Sequence, residues 1–285
     1  MYTIETTIGD ADLRQEVSGY HASPYPLDLS VGYAKKSDIK TIKGKDLNSL
    51  LLFDSGNVSA IFTIGFEIEK NRFSRNSVKG YPLFKGFERD SSCGFEAITN
   101  ILPLLPNSKW RMNVFNMMVE AERIIDDAYS PSDTRCGGHI TLGSFEIQDG
   151  NELLERVRKY SGLFYAMFRY RLKNRYCYDN PFMLEQRHNR YQVCLAKDKT
   201  IEFRLPSRVT SVSDMMTRYE ICYLMMKYAH EGGSFSKFLK DARPIVIRSY
   251  NGDVNKAEEI LSLAVHMQNY ILVGEVSPEI QQFIN

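Results

Sequence analysis

The side chains of this chain with the most chemical potential recur at alternating positions. Glu67 and Glu69 lie in the run Phe62-Thr63-Ile64-Gly65-Phe66-Glu67-Ile68-Glu69, which separates Thr63, Gly65 and the two acids from Phe62, Ile64, Phe66 and Ile68. In an extended strand residues i and i+2 share a face, so both carboxylates point one way, about 7 Å apart. Two like charges so placed repel unless a cation stands between them. A lysine or arginine serves, and so does a divalent metal, which favours carboxylate oxygen. Taken alone, the commoner arrangement is a solvated strand with two surface acids. The chain repeats the pattern, however. Asp90 and Glu96 bracket a tight Ser91-Ser92-Cys93-Gly94 turn, His139 and Thr141 share a face opposite Ile140 and Leu142, and Glu202 and Arg204 share one opposite Ile201, Phe203 and Leu205. A sheet built from such strands presents carboxylates, an imidazole and a guanidinium on one surface. That surface is costly to shield from water unless it binds cations and phosphate.

The elements that must position these groups are mixed. Strands are expected at 62–69, 84–90, 94–99, 139–147, 191–195 and 200–205, the last two joined as a hairpin through Lys197-Asp198-Lys199. Helical spacing of apolar residues marks 108–128 (Trp110, Val114, Met117, Met118, Ala121, Ile124, Ile125), capped by Ser108. It also marks 151–171, with Tyr160, Phe164, Tyr165 and Phe168 on one face, and then 213–229, 235–242 and 254–270. Residues 70–80 read as a basic, polar loop, which with Lys85 and Arg89 hints at an acidic carboxylate substrate. Strands and helices mix without regular βαβ alternation, which favours an α+β fold with an antiparallel sheet. We divide the chain into an extension, 1–58, packed on the core or on a neighbouring subunit; a catalytic domain, 59–230; and a helical part of that same domain, 231–285. Ser23-Pro24-Tyr25-Pro26 excludes a helix interior within the extension, and the lysine-rich stretch 35–45 reads as a solvated loop.

Composition narrows the function classes. The 285 residues are 43% hydrophobic with a formal net charge of +1, enough for a sizeable core and too balanced for a protein dominated by nucleic-acid phosphate. Five cysteines without a close CxxC pair suit reduced thiols in a cytoplasmic protein. Neither a signal peptide nor a membrane span is expected. There is no GxxxxGK[ST] loop, GxGxxG or GxSxG elbow. Cys136-Gly137-Gly138-His139 has a Cys-x-x-His spacing, but no second pair stands nearby, so a structural zinc site is not expected. Cys136 reads as packing, and His21, His188, His230 and His266 as structural.

Five motifs in order carry a family resemblance: Gly65-Phe66-Glu67-Ile68-Glu69; Asp90-Ser91-Ser92-Cys93-Gly94-Phe95-Glu96; Cys136-Gly137-Gly138-His139-Ile140-Thr141; Arg187-His188-Asn189-Arg190-Tyr191; and Thr200-Ile201-Glu202-Phe203-Arg204-Leu205-Pro206. Together, across about 61–229, they resemble the amidoligase family of the glutamate–cysteine ligase and glutamine synthetase superfamily of carboxylate–amine ligases. Two positions depart from it: Thr141 stands where relatives usually carry a second histidine, and Ser91 where glycine is common. The resemblance implies a curved antiparallel sheet of the glutamine synthetase and glutamate–cysteine ligase catalytic type, with helices on its outer face and the active site in the concavity. It implies ATP and Mg²⁺ as cofactors, and amide or peptide bond formation through an acyl phosphate.

Under that reading Glu67, Glu69, Glu96 and Glu202 are metal ligands and His139 touches a phosphate or the metal. Arg204 faces the transferring phosphoryl group, Arg187 and Arg190 clamp phosphates or the substrate carboxylate, and Thr141 lines the ATP site. Asp90 either deprotonates the amine or caps its turn. Partners would be a small-molecule or peptide carboxylate and an amine, without membrane or specific nucleic acid; the oligomeric state is left open, although ligases of this superfamily often assemble as homo-oligomers. The rivals are a structural or nucleotide-binding module that has lost activity on the same fold, and another ATP-dependent phosphotransferase. Locally, Glu202 could simply pair with Arg204, and His139 could be a satisfied core histidine.

Overall fold

The structure is a computed structural model that describes residues 62–70, 81, 83–88, 93, 95–99, 102–104, 108–126, 135–144, 146–177 and 192–284. The extension 1–58 therefore lies outside the described residues. Among the described residues an antiparallel sheet of seven strands forms the centre of an α+β fold. The strands are β1 (Phe62–Lys70), β2 (Phe84–Glu88), β3 (Phe95–Thr99), β4 (Leu102–Leu104), β5 (Gly138–Ser144), β6 (Cys194–Ala196) and β7 (Thr200–Phe203). Their order is β2-β3-β1-β5-β7-β6, with β4 pairing the other half of the β1 edge that carries β3. β1 is thus paired on both edges. It sets Glu67 opposite His139 on β5 and Glu69 opposite Glu96 on β3, while β7 sets Glu202 opposite Thr141.

The alternation read from β1 holds. Phe62, Ile64, Phe66 and Ile68 join Ile140, Leu142, Ile201 and Phe203 in one continuous core beneath the helices. Fully burying each such side chain contributes about 1.5–3 kcal/mol. Lys70 is the exception, and it corrects the expected basic loop: it is the last residue of β1 and lies on this apolar side. Its ammonium is fully buried, donating to the carbonyls of Ile125 (2.7 Å) and Val209 (3.2 Å). It therefore offers nothing to a substrate from solution. Residues 71–80 and Arg89 lie outside the described residues.

The helices are α1 (Ser108–Glu120), α2 (Glu122–Ile125), α3 (Gly150–Arg158), α4 (Gly162–Met167), α5 (Val212–Glu231), α6 (Phe235–Ser249), α7 (Val254–Val273) and α8 (Pro278–Gln281). Helix α5 is buried nearly all round, because it packs on β1, α1, α3 and α6. It begins earlier than its apolar pattern suggests, with Ser211 Oγ accepting from Asp214 N. The expected helix 108–128 is interrupted at Ala121. The expected helix 151–171 is three pieces, ending in a 3₁₀ turn at Arg169–Arg171. Its break is made by tertiary partners. Gln268 of α7 accepts from Gly162 N (2.8 Å) and donates to the carbonyl of Arg158 (3.0 Å), supplying what a continuous helix would have bonded internally. Gly162 also lies so close to α7 that a Cβ there would sit 2.6 Å from the Ala264 carbonyl oxygen.

Strand β5 stops at Ser144 rather than 147, because Ser144 Oγ accepts from the amides of Glu146 and Ile147 and turns the chain. Helix α6 continues through Pro244 to Ser249, past the expected end at 242. The helices of 231–285 share the core of the sheet domain. Among the described residues, no helix is long and apolar enough to cross a membrane.

Candidate active site

The second face of the sheet carries the chemistry. Glu67 and Glu69 (β1), Glu96 (β3), His139 and Thr141 (β5) and Glu202 (β7) are each at most 5% exposed. The solvated-strand reading of Glu67 and Glu69 is thereby excluded: both faces of β1 are buried.

His139 is the hub. Its Nδ1 lies 2.8 Å from Glu67 Oε2 and 4.0 Å from Glu202 Oε1, and its Nε2 lies 3.2 Å from Glu69 Oε1. The other oxygen of Glu69 accepts from the amide of Gly137 at 2.6 Å. The two glycines before His139 have distinct steric reasons. A Cβ at Gly137 would stand 2.8 Å from His139 Nε2, so only glycine leaves room for the ring to reach Glu69. A Cβ at Gly138 would meet Arg218 Nη1 at 2.4 Å and the Ser207 carbonyl at 2.5 Å.

Glu202 is the electrostatic centre. Arg204 Nη1 donates to its Oε1 at 2.7 Å, and the ammonium of Lys197 pairs with its other oxygen. Burial pushes the Glu202 carboxyl up, but Lys197, Arg204 and His139 together hold it well below the usual carboxylate range. Burial and the Glu202 charge push Glu67 up; the hydrogen bond and charge of His139, with Lys197, outweigh them and leave it lowered. Lys197 and Arg204 move the opposite way: burial lowers both, and Glu202 followed by Glu67 raises them above their ordinary values.

These directions fix the acid limb of stability for the metal-free chain. Glu67 and Glu202 titrate lower folded than unfolded, so their contribution is complete above the unfolded value, about 4.3, and is lost as pH falls through the folded values. Urea denaturation at stepped pH should show stability level above about pH 5 and falling below it, with a shallower fall in Glu202→Gln. An unchanged slope in that variant would exclude Glu202 as a contributor.

The sheet thus brings Glu67, Glu69, Glu96, His139, Thr141 and Glu202 to one surface, with Arg204 just beyond β7. Asp90, Arg187 and Arg190 lie outside the described residues, as do His21, His188, Ser91 and Tyr191. Three participants were missed in the sequence. Lys197 read as a hairpin turn, yet the β6–β7 register sets Leu195 opposite Glu202, so alternation already puts Lys197 on the Glu202 face. Arg171 read as a helix end; it is buried and donates to the carbonyls of Leu205 and Cys136 behind the His139 motif. Cys93 read as part of a turn, and it lies beside Cys136.

Among the described residues two groupings could hold a cation. Glu67, His139 and Glu202 each offer a ligand atom, all within 4.8 Å of one another, and so do Glu69, Cys93 and Cys136. The oxygen-rich first set suits a hard divalent ion. Beside it, Thr141 Oγ1 and Arg204 Nε are buried without a hydrogen-bond partner among the described residues, a state polar atoms seldom keep unless a ligand or water completes them. The other two described histidines lie outside this cluster: His230 faces Glu146 at 3.2 Å, and His266 lies 3.0 Å from Ser277 Oγ. No protein-family model matches the chain, and no curated protein matches it.

Proposed function

We propose that the chain is an ATP- and Mg²⁺-dependent carboxylate–amine ligase on a sheet of the glutamine synthetase type, working from the polar face of β1, β3, β5 and β7. The observation that carries this reading is the buried convergence of four carboxylates, Glu67, Glu69, Glu96 and Glu202, with His139, Lys197 and Arg204 on one sheet face. Few tasks other than binding cations and polyphosphate repay such burial. Phosphoryl transfer needs charge neutralisation more than covalent participation by the protein. Magnesium would be held by Glu67 and Glu202, with Glu69 and Glu96 as further carboxylates, and would supply charge neutralisation on the phosphate oxygens.

In this scheme a substrate carboxylate oxygen attacks the γ-phosphorus of ATP, giving an acyl phosphate and ADP. An amine nitrogen then attacks the acyl carbon, phosphate leaves, and the ammonium proton goes to a base or to water. Arg204 carries a planar guanidinium suited to the equatorial phosphoryl oxygens. Lys197, a point cation beside it, holds Glu202 ionised and in place. His139 orients Glu67 through Nδ1. The substrates are a small-molecule or peptide carboxylate and an amine.

Calorimetry with ATP and Mg²⁺ tests the reading. Wild type should bind the nucleotide only with metal present, and Glu67→Gln should weaken binding at least about tenfold, or ~1.4 kcal/mol. Wild type that binds no nucleotide in the presence of metal sinks the proposal. One observation favours a second reading, a binding module without turnover: Glu202 already has two cationic partners inside the chain. That reading gains if ATP binds but no acceptor amine from a broad screen elicits ADP release.

A further inference from the structure

We infer that Cys93, Cys136 and Glu69 form a three-ligand site for a thiophilic divalent cation of the zinc class, its fourth position left to water. The site goes beyond the ligase reading: thiolates have no part in that chemistry, although Glu69 belongs to both surfaces.

The first support is proximity across the fold. Cys93 precedes β3 and Cys136 precedes β5, forty-three positions apart in sequence. Yet their sulfurs and a Glu69 carboxylate oxygen lie within 4.8 Å of one another, and all three residues are buried. No disulfide joins the cysteines. Cys136 therefore finds its ligand partners before β3 and on β1, not in its own Cys-x-x-His spacing.

The second support is dimensional. Zinc bonds of about 2.0–2.1 Å to nitrogen or oxygen, set at the tetrahedral angle, hold two such ligands roughly 3.3 Å apart, and two thiolates at about 2.3 Å lie roughly 3.8 Å apart. The ligand atoms of Cys93, Cys136 and Glu69 already lie within 4.8 Å of one another, so closing on an ion takes side-chain shifts of about an ångström.

The third support is local: the amide that donates to Glu69 Oε2 belongs to Gly137, the residue after Cys136, so this carboxylate is tethered beside that cysteine. On binding, each thiol exchanges its S–H bond for an S–metal bond, and two protons pass to solvent.

Cobalt(II) added to the metal-free full-length chain provides the probe. We expect one equivalent to bind with a sulfur-to-cobalt charge-transfer band and the visible bands of a tetrahedral ion, both displaced by zinc. Cys93→Ser and Cys136→Ser should each diminish the charge-transfer band and weaken the ion's affinity by more than 100-fold. Cys222→Ser serves as the control, since that thiol is buried among helices and should leave the spectrum unchanged. No charge-transfer band in wild type, or a band indifferent to both Cys93→Ser and Cys136→Ser, overturns the inference. If circular dichroism shows that both variants fail to fold, cadmium-113 resonance on wild type decides: a shift typical of two thiolates supports the site, and one typical of oxygen ligands overturns it. Failure here leaves the nucleotide calorimetry untouched, and a wild type that shows the thiolate band but binds no nucleotide defeats only the ligase reading.

Discussion

Glu202→Ala is expected to lower stability by about 3 kcal/mol, because it strands two cations rather than removing one contact. Lys197 and Arg204 both end on the Glu202 carboxylate, and their side chains are only 21% and 19% exposed. Removing one partner of a buried pair leaves an uncompensated charge, typically worth 3–5 kcal/mol. The residual exposure of both cations places this case at about the lower end. The pair itself is not a large net stabiliser, since its own desolvation offsets much of the attraction. Glu202→Ala combined with Lys197→Met should therefore recover part of the loss, giving a coupling of about 1–3 kcal/mol in a double-mutant cycle. Urea denaturation with an unchanged m-value measures both. A Glu202→Ala chain within about 1 kcal/mol of wild type would mean that water already solvates Lys197 and Arg204.

Gly150→Ala is expected to cost about 3 kcal/mol and to release Lys197 from Glu202. Gly150 opens α3, and its amide donates to the Asp198 carbonyl at 2.9 Å, docking the helix start on the β6–β7 turn. A Cβ at this position would fall 1.8 Å from the Lys197 carbonyl oxygen and 2.8 Å from that of Thr200. Both obstacles are backbone, so no rotamer change relieves them, and the turn or the helix must shift. Overpacking in a fixed setting usually costs about 1–3 kcal/mol, and a backbone clash this close belongs at the upper end. Because Lys197 rides on the displaced turn, the Glu202 carboxyl should also lose part of its depression. Two readouts separate the effects: the denaturation midpoint reports the strain, and the carboxyl titration of Glu202 by carbon-13 resonance reports the cation. A variant with the wild-type midpoint would show that the helix and hairpin are not rigidly docked.

The strand faces were legible in the sequence because a period of two leaves little choice: once Phe62, Ile64, Phe66 and Ile68 must be buried, Thr63, Gly65, Glu67 and Glu69 share the other side. The same parity placed His139 with Thr141 and Glu202 with Arg204. The antiparallel hairpin at Lys197-Asp198-Lys199 and the α+β class followed from turn residues and element order. Helix boundaries were less legible. The 151–171 pattern has helical period throughout, and nothing local marks the break that Gln268 stabilises from more than a hundred positions away. Lys70 looked like the start of a basic loop because its burial depends on two carbonyls from other elements.

The sequence by itself determined that the chain carries acids, an imidazole and arginine on the polar sides of its strands, because alternation is a local property of extended backbone. Only the tertiary structure decided which of those groups meet. Register across β3, β1, β5 and β7 sets Glu69 against Glu96, Glu67 against His139 and Thr141 against Glu202. It also closes both faces of β1 to solvent, turning two ordinary surface acids into buried ones. The same pairing gathers Cys93 and Cys136 beside Glu69, which no spacing rule within one segment could have revealed. Such contacts belong to strand order and side-chain packing, and those are settled by the burial of the whole core rather than by any single stretch of chain.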